Sequence, residues 1–347
     1  MQLKIHYYLE SWKEKLYYVF SILLSKWINK GKTPPAKFQR ILIIKIDEIG
    51  DMITALPSFE TLRKSHPEAE ITLLCKGLVK NIVSADPSLD KIAVSKSELT
   101  GKYDLIIDLR GNWSMLWFAL FNAPKFRLER GAIRLKNKNA GGHKHEVEVN
   151  YQIMETVLKN IPEKFALRPA LSEEDRTFAK RWCAENKLIS FAILHAGARR
   201  PLKQWAPERF QKIAEYLNKK GFQIVFGGGP EDAEVNNNII KQLKFPAINL
   251  AGKCSLTQFA AICGEAKLFI GNDSGPMHLA SAMNIPVIGL FGPSITETFR
   301  PYHDKGSFIH YKLPCNPCDQ IHCIQPNDIC INKISVEEVV RKIESLL

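Results

Sequence analysis

The sequence predicts an α/β protein with two parallel sheets. Short apolar segments rich in β-branched residues alternate with segments of helical period, which is the pattern of repeated βαβ units. The run 40–46 is apolar along almost its whole length, as is typical of a parallel strand buried on both faces. A chain of 347 residues is also too long for one compact core, so we expect two domains.

The first half contains one αβ series. The prolines within 32–37 predict a linker after an aromatic N-terminal segment. The predicted elements are strand 40–46, helix 51–65, strand 70–75, strand 104–109 and helix 113–121. The basic stretch 125–145 has no clear period, and we predict a loop there that faces the acceptor.

The second half contains another αβ series, which follows a predicted interdomain linker at 162–169. Its predicted elements are helix 173–186, strand 190–195, helix 207–219, strand 223–227, helices 231–243 and 256–266, strand 267–270, helix 276–283 and strand 286–291. Ser335 and Glu338 predict a capping box for a last helix, which follows a cysteine-rich segment. The predicted organisation is an N-terminal segment 1–32, a first domain 38–165, a second domain 170–330 and a C-terminal helix 331–347.

The segment 268–283, LFIGNDSGPMHLASAM, is the most informative part of the chain. Pro276 suits the first position of a helix that follows a buried strand. A helix beginning there directs free N–H groups and its positive dipole end toward Ser274 and Gly275, which favours a bound phosphate. Asp273 and His278 flank this turn. From the residues alone, an ordinary turn with a buried histidine explains the pattern equally well.

GNDSGPMHL (271–279), followed by GLFGPS (289–294), resembles the nucleotide-sugar signature of glycosyltransferase family 9. That family contains the ADP-heptose:lipopolysaccharide heptosyltransferases. Three further segments agree in order and spacing, namely ILIIKIDEIGDMITALP (41–57), LHAGA (194–198) and KQWAP (203–207). The resemblance covers about residues 40–345. It implies a GT-B architecture, with two doubly wound Rossmann-like domains facing a cleft, and the inverting transfer of heptose from ADP-heptose to a lipopolysaccharide inner-core acceptor.

The same resemblance makes Asp51 the catalytic base. Glycosyl transfer needs a base for the acceptor hydroxyl and stabilisation of the leaving diphosphate. On local chemistry alone, Asp51 would instead cap the helix that follows it. Asp47, one turn earlier, is expected to support the loop or the acceptor.

The leaving diphosphate is expected at the backbone N–H groups of Ser274 and Gly275. The resemblance makes Lys203 a phosphate contact, with Arg199 or Arg200 adding charge. For a lysine considered alone, a solvated surface charge is the simpler interpretation.

Glu231 is expected to accept the ribose hydroxyls, as the corresponding acid does in the family, while the dipole of the following helix explains an acid there equally well. Asp273 and His278 are expected to contact the sugar or the diphosphate. Asp232 occupies the place of the last glycine in G-x-G-x-x-G, which argues against an NAD-dependent oxidoreductase. The sequence contains no D-x-D motif, so we expect no metal or other cofactor to be required for transfer.

The formal net charge of +12 favours anionic partners. Nucleic acid is not expected, because we find neither zinc-finger spacing nor an aromatic RNA-binding signature. Basic residues of the first domain predict an anionic, lipid-linked glycan acceptor; they are Arg110, Lys125, Arg127, Arg130 and Arg134. Within this group Arg110 and Arg130, together with Asp47, are the predicted acceptor-binding residues.

The N-terminal segment is aromatic and basic. It contains Tyr7, Tyr8, Trp12, Tyr17, Tyr18, Phe20 and Trp27 among Lys4, Lys13, Lys15, Lys26 and Lys30. The uncharged run 16–25 is about half of what a bilayer-spanning helix needs, and Glu10, Glu14 and Trp27 argue against a secretory signal. We predict an amphipathic helix lying on the inner face of the cytoplasmic membrane, which makes the protein cytoplasmic and peripheral. A helix packed on the protein's own surface is the alternative.

Four cysteines near the C-terminus form the pattern C-x2-C-x4-C-x6-C, namely Cys315, Cys318, Cys323 and Cys330. Their spacing allows a structural zinc site, although free or redox-active thiols fit the irregular spacing better. For the function itself two alternatives stay open. One is a family 9-like enzyme that uses another nucleotide sugar for a different surface glycan. The other is a non-catalytic protein that binds a nucleotide sugar.

Overall fold

The chain divides into two compact units, Met1–Ala166 (unit one) and Leu167–Leu347 (unit two). The structure, a computed structural model, describes residues 2–140, 142–159, 161–318 and 320–347, with the side chains of these residues except 2–11 and 138. Tyr7, Tyr8 and Lys4 of the predicted N-terminal helix therefore lie outside the described side chains.

Unit one contains a five-stranded parallel sheet in the order β3-β2-β1-β4-β5. Its strands are β1 Arg40–Lys45, β2 Glu70–Cys75, β3 Lys91–Ala93, β4 Leu105–Arg110 and β5 Phe126–Glu129. Its helices are α1 Gln2–Ile28, α2 Ile49–Ile53, α3 Leu56–Ser65, α4 Lys80–Val83, α5 Trp113–Asn122, α6 Arg130–Asn139 and α7 Glu146–Met154. The four apolar residues after Arg40 in β1 are fully buried, as the continuous apolar run predicted.

Two sequence-based predictions for unit one are wrong in detail. The single helix predicted over 51–65 is divided between α2 and α3. Pro57 lies in the first turn of α3 and has no N–H with which to continue the hydrogen bonds of α2. The predicted loop over 125–145 instead contains β5 and α6, because Phe126 and Arg127 are buried in a strand that pairs with β4.

The predicted N-terminal helix is present as α1, and one side of it packs on β5, α5 and α6 of unit one. For that side of the helix the alternative of packing on the protein's own surface is therefore confirmed. None of the helices described by the structure has an apolar stretch long enough to cross a membrane.

Unit two contains a six-stranded parallel sheet in the order β11-β10-β9-β6-β7-β8. Its strands are β6 Phe191–His195, β7 Gln223–Phe226, β8 Ala247–Asn249, β9 Leu268–Asn272, β10 Val287–Phe291 and β11 Gly306–His310. Its helices are α8 Glu173–Glu185, α9 Pro207–Lys219, α10 Ala233–Gln242, α11 Leu256–Glu265, α12 Gly275–Ala282, α13 Thr296–Phe299 and α14 Val336–Glu344. β8 and β11 were not predicted from the sequence, whereas the capping box between Ser335 and Glu338 at the start of α14 is confirmed.

Both sheets reverse their strand order at one point. In unit one this point lies between β1 and β4, and in unit two between β6 and β9. Ligands of open α/β sheets bind outside the carboxyl ends of the strands at such a point. Within each unit, the residues that directly follow these strands are therefore the first place to look for a site.

Candidate active site

Asp51 lies beyond the carboxyl end of β1, in the first turn of α2. The side chain is partly exposed. The residue at the helix cap is Glu48, and no side-chain hydrogen bond caps this helix. The structure therefore contradicts the alternative that Asp51 is only the capping residue.

A buried network of charges lies beside this turn. Lys45 at the end of β1 is fully buried and donates a hydrogen bond of 3.0 Å to the Asp47 carboxylate. Lys45 Nζ is also 3.9 Å from Glu146, the first residue of α7. Arg130 pairs with Glu146 at 2.7 Å and lies 3.9 Å from Asp47. The two cations, Lys45 and Arg130, thus balance the charges of the carboxylates of Asp47 and Glu146. Asp51 is a third carboxylate near these four charged side chains.

The two aspartates respond oppositely to this field. Burial, followed by the negative charge of Asp47, raises the pKa of Asp51 to about 6. Burial alone would also raise the pKa of Asp47. The positive charges of Lys45, Arg110 and Arg130 outweigh that effect and hold the pKa of Asp47 below its usual value.

The predicted acceptor residues differ in accessibility. Arg110 is partly exposed, with its Nε 3.7 Å from Asp47. Arg130 is 3% exposed and is occupied by Glu146 and Asp47. Arg127 is fully buried, with Asp108 at 2.7 Å, so the prediction that it faces an acceptor is wrong. The sequence alone could not show which of these arginines are exposed and which are buried, because their ion-pair partners lie on other elements.

In unit two, Ser274 lies between β9 and α12 and is the N-cap of that helix. Its hydroxyl does not cap the helix. It donates instead to the Asn272 carbonyl at 3.1 Å and lies 3.1 Å from Nδ1 of His195. The first-turn N–H groups of α12, which begins at Gly275, have no side-chain cap, as an anion-binding helix terminus requires.

Three predicted donor residues surround this helix start. Lys203 Nζ is 2.7 Å from the Asp273 carboxylate, in an ion pair that is largely buried. His278, in α12, is 4% exposed. Burial lowers the pKa of His278 to about 4, so the imidazole is neutral at pH 7. The structure thus brings together Lys203, Asp273 and His278, which are up to 75 positions apart.

A second pair of residues, which was not predicted from the sequence, supports the same turn. His195 Nε2, at the end of β6, lies 3.3 Å from the buried carboxylate of Asp232. Asp232 also accepts the Gly229 N–H at 2.9 Å. Asp232, His195 and Ser274 therefore form a continuous chain of polar contacts. The available signal was the position of His195 at the end of a buried strand, directly before a glycine-containing loop.

The remaining predicted donor residues, Glu231 and Arg199, are exposed. The cysteine-rich segment gives no support for a zinc site. Among the residues that the structure describes, no three His, Cys, Asp or Glu side chains are grouped so that they could hold a metal ion. Cys330 is buried and the other three cysteines of the motif are partly exposed.

Solved structures that resemble this chain include two with the same fold. A glycosyl transferase of family 9 from Veillonella parvula superposes with a TM-score of 0.78, at 23% identity, over 91% of this chain and 99% of that one. The Escherichia coli ADP-heptose lps heptosyltransferase II superposes with a TM-score of 0.68, at 21% identity, over 89% of this chain and 98% of that one. These similarities confirm the α/β fold of GT-B type.

Sequence comparison then identifies the family. The sequence model of glycosyltransferase family 9 (heptosyltransferase) matches residues 93–328, which is more than half of the chain. Lipopolysaccharide heptosyltransferase 3 of Escherichia coli K12 is 26% identical over 345 residues, covering 86% of this chain and 95% of that protein. The protein belongs to glycosyltransferase family 9 and is a glycosyltransferase enzyme.

Proposed function

We propose that the protein is an inverting heptosyltransferase that moves a heptose from ADP-heptose onto a lipopolysaccharide inner-core acceptor, with Asp51 as the base. The observation that carries the proposal is the partly exposed Asp51 carboxylate beside a strand end, with its pKa raised to about 6. The names of two similar proteins, lipopolysaccharide heptosyltransferase 3 and ADP-heptose lps heptosyltransferase II, support the choice of sugar, nucleotide and acceptor.

A carboxylate with this pKa suits general base catalysis. At pH 7 most of the Asp51 population is ionised and can accept the proton of an attacking hydroxyl. Its proton affinity is nevertheless higher than that of a free aspartate, which makes proton transfer more favourable. In the proposed step, the acceptor oxygen forms a bond to the anomeric carbon, the bond from that carbon to the diphosphate oxygen breaks, and the hydroxyl proton passes to Asp51.

We propose that the leaving diphosphate binds at the start of α12. Uncapped N–H groups after Ser274 and the positive end of the helix dipole would stabilise the developing charge. Lys203 adds a cation, because its ammonium group already lies at this helix start beside Asp273. The exposed side chains of Arg199 and Glu231 are the proposed contacts to phosphate and ribose. This route to charge stabilisation requires no metal.

On the acceptor side, Arg110 is accessible enough to contact an anionic sugar directly. Arg130 is buried, so we assign it the role of holding Asp47 in place. A lipid-linked acceptor would make the enzyme a peripheral protein on the inner face of the cytoplasmic membrane.

Replacing Asp51 by asparagine tests the base assignment. The Asp51→Asn variant should lose transfer by about 10²- to 10⁴-fold, the usual contribution of a general base. Its affinity for ADP should be unchanged, because the proposed nucleotide contacts all belong to unit two. Glu68→Gln is the matched control, since that carboxylate is 83% exposed in the same unit. Transfer by Asp51→Asn at the wild-type rate would show that Asp51 is not the base.

Titration with ADP, UDP and GDP tests the donor. We expect selective binding of ADP, measured by calorimetry on the full chain. Preferential binding of UDP or GDP would be compatible with a glycosyltransferase but would rule out ADP-heptose as its donor. Binding of ADP without transfer from ADP-heptose would keep ADP as the nucleotide and reject heptose as the transferred sugar.

A further inference from the structure

Helix α1 carries apolar side chains on both of its sides, because Leu24 and Ile28 pack inward while other large apolar residues are exposed. Its inward side is tied to unit one by polar contacts. The buried guanidinium of Arg127 donates to the Ser21 carbonyl at 2.9 Å and to the Ser25 hydroxyl at 2.6 Å. The Tyr17 hydroxyl donates to Asp108 at 2.7 Å. Helices that lie on a soluble core normally turn their apolar side inward.

The outward side of α1 is apolar. Its exposed large side chains are Trp12 (61%), Val19 (51%), Phe20 (47%), Leu23 (55%) and Trp27 (66%). The intervals between them are seven, one, three and four residues, which places all five on one face of a helix. This face points away from the polar contacts of Ser21 and Ser25, so unit one does not cover it.

Helix α5 continues the same surface. Trp113 (38%), Trp117 (57%) and Phe121 (79%) are exposed at intervals of four residues. The Trp117 and Phe121 rings stack with centroids 6.3 Å apart. Phe20 of α1 contacts Trp113 edge to face at 5.6 Å, which joins the two rows of side chains. We call the eight exposed residues of α1 and α5 the aromatic face.

A continuous apolar surface on two adjacent helices needs an occupant. Exposed lysines at positions 13, 26 and 30 accompany the α1 row. Tryptophan beside lysine suits the boundary of a bilayer, where the rings enter the headgroup region and the ammonium groups reach anionic lipid. In a symmetric dimer through this face, the same lysines would meet across the twofold axis and repel one another.

We propose that the aromatic face is a membrane-binding surface that docks α1 and α5 side by side on an anionic phospholipid bilayer. This inference rests on the peripheral membrane location given in the proposed function and names the surface responsible, but it does not depend on the identity of the donor. It also differs from an N-terminal anchor alone, because α5 supplies three of the eight residues of the aromatic face. Deleting α1 would be a poor test, since deletion would uncover the Arg127–Asp108 ion pair and remove its contacts to Ser25 and Tyr17.

Point variants of exposed residues test the proposal in the full chain. The two variants are Trp117→Ser with Phe121→Ser in α5, and Leu23→Ser with Trp27→Ser in α1. Ile189→Ser is the matched control, because Ile189 is 87% exposed in unit two. Sedimentation with vesicles of phosphatidylethanolamine and phosphatidylglycerol should show partitioning lowered by more than about tenfold in both double variants. The control should bind like the wild type, and all four proteins should have the same melting temperature.

A second set of measurements varies the charge of the lipid and the salt concentration. Binding to neutral phosphatidylcholine vesicles should be much weaker, and added salt should weaken binding to the anionic vesicles. Unchanged sedimentation of the α5 double variant would overturn the proposal of a joint surface. A wild-type dimer that dissociates in both double variants, together with no binding to vesicles, would identify a second copy of the chain as the occupant and overturn the membrane assignment.

Discussion

At the scale of single residues, the properties of Asp51 depend on its neighbours more than on its own place in the sequence. Lys45 and Glu146 lie 101 positions apart in the chain and meet within 3.9 Å. Asp51 follows a strand that sequence could recognise, but nothing local to it predicts a carboxylate that titrates near pH 6. The predicted role of Asp51 came from the family resemblance, while its electrostatic environment became visible only in the structure.

The pH dependence of transfer should report this environment. A base must be ionised, so kcat/KM should be maximal above the pKa of Asp51 and should fall as the pH drops through about 6. Asp47→Asn removes a negative charge that raises the pKa of Asp51, so the acidic limb should move to lower pH. In the wild type and in Glu68→Gln, kcat/KM should fall over the same acidic pH range. If kcat/KM of Asp47→Asn falls at the same pH as that of the wild type, or at a higher pH, the proposed coupling between Asp47 and Asp51 is wrong.

His278 makes a separate prediction about stability. Burial lowers its folded-state pKa to about 4, against an ordinary value of 6.5. Between these two values the unfolded chain binds a proton that the folded chain does not, so stability falls as the pH falls through this window. From pH 6.5 to pH 5 the loss is about 2 kcal/mol, at about 1.4 kcal/mol per pH unit.

The His278→Gln variant should lack this part of the acid sensitivity. Urea denaturation at pH 7 and at pH 5 measures the difference in the free energy of unfolding for each protein. The wild type should lose about 2 kcal/mol more than the variant on acidification. Equal losses would show that His278 is protonated in the folded state, against its buried environment beside Lys203.

At the scale of elements, local signals predicted well where the relevant physics is local. The buried run of β1 and the capping box of α14 were predicted from short segments, and α12 begins at Gly275, one residue before the predicted Pro276. β5 and α6 were missed because their arginines resemble a solvated loop until their partners are known. Arg127 is buried only because Asp108 of β4 and the serines of α1 satisfy it.

The loop after β6 offers a test at this scale. A Cβ atom on Gly197 would lie 1.8 Å from the Asp232 carboxylate, so alanine there must displace Asp232 from His195. We expect Gly197→Ala to weaken ADP binding by about tenfold, the equivalent of one hydrogen bond to a charged group. Gly77→Ala is the control, since an added Cβ at Gly77 meets no atom within 4 Å. Calorimetric titration with ADP that shows equal affinity for both variants would argue against a role of this polar chain in nucleotide binding.

At the scale of the whole molecule, the order of elements was the most predictable property. Alternation of apolar strands and amphipathic helices predicted two parallel sheets, and both sheets have a single reversal of strand order. Family membership and fold follow from the match over 93–328 and from the solved structures. Which sugar is transferred, and to what, depends on contacts that neither the motifs nor the strand order contain.

The proposed transfer of heptose can be followed in a single reaction by NMR. Wild-type protein is incubated with ADP-heptose and a lipopolysaccharide acceptor that lacks the inner-core heptose, and the product is analysed for the anomeric configuration of the new linkage. We predict release of ADP together with a heptosylated acceptor of inverted configuration, and neither product above background with Asp51→Asn. Transfer with retained configuration would rule out an inverting mechanism, and consumption of another nucleotide sugar without any transfer from ADP-heptose would rule out the proposed donor.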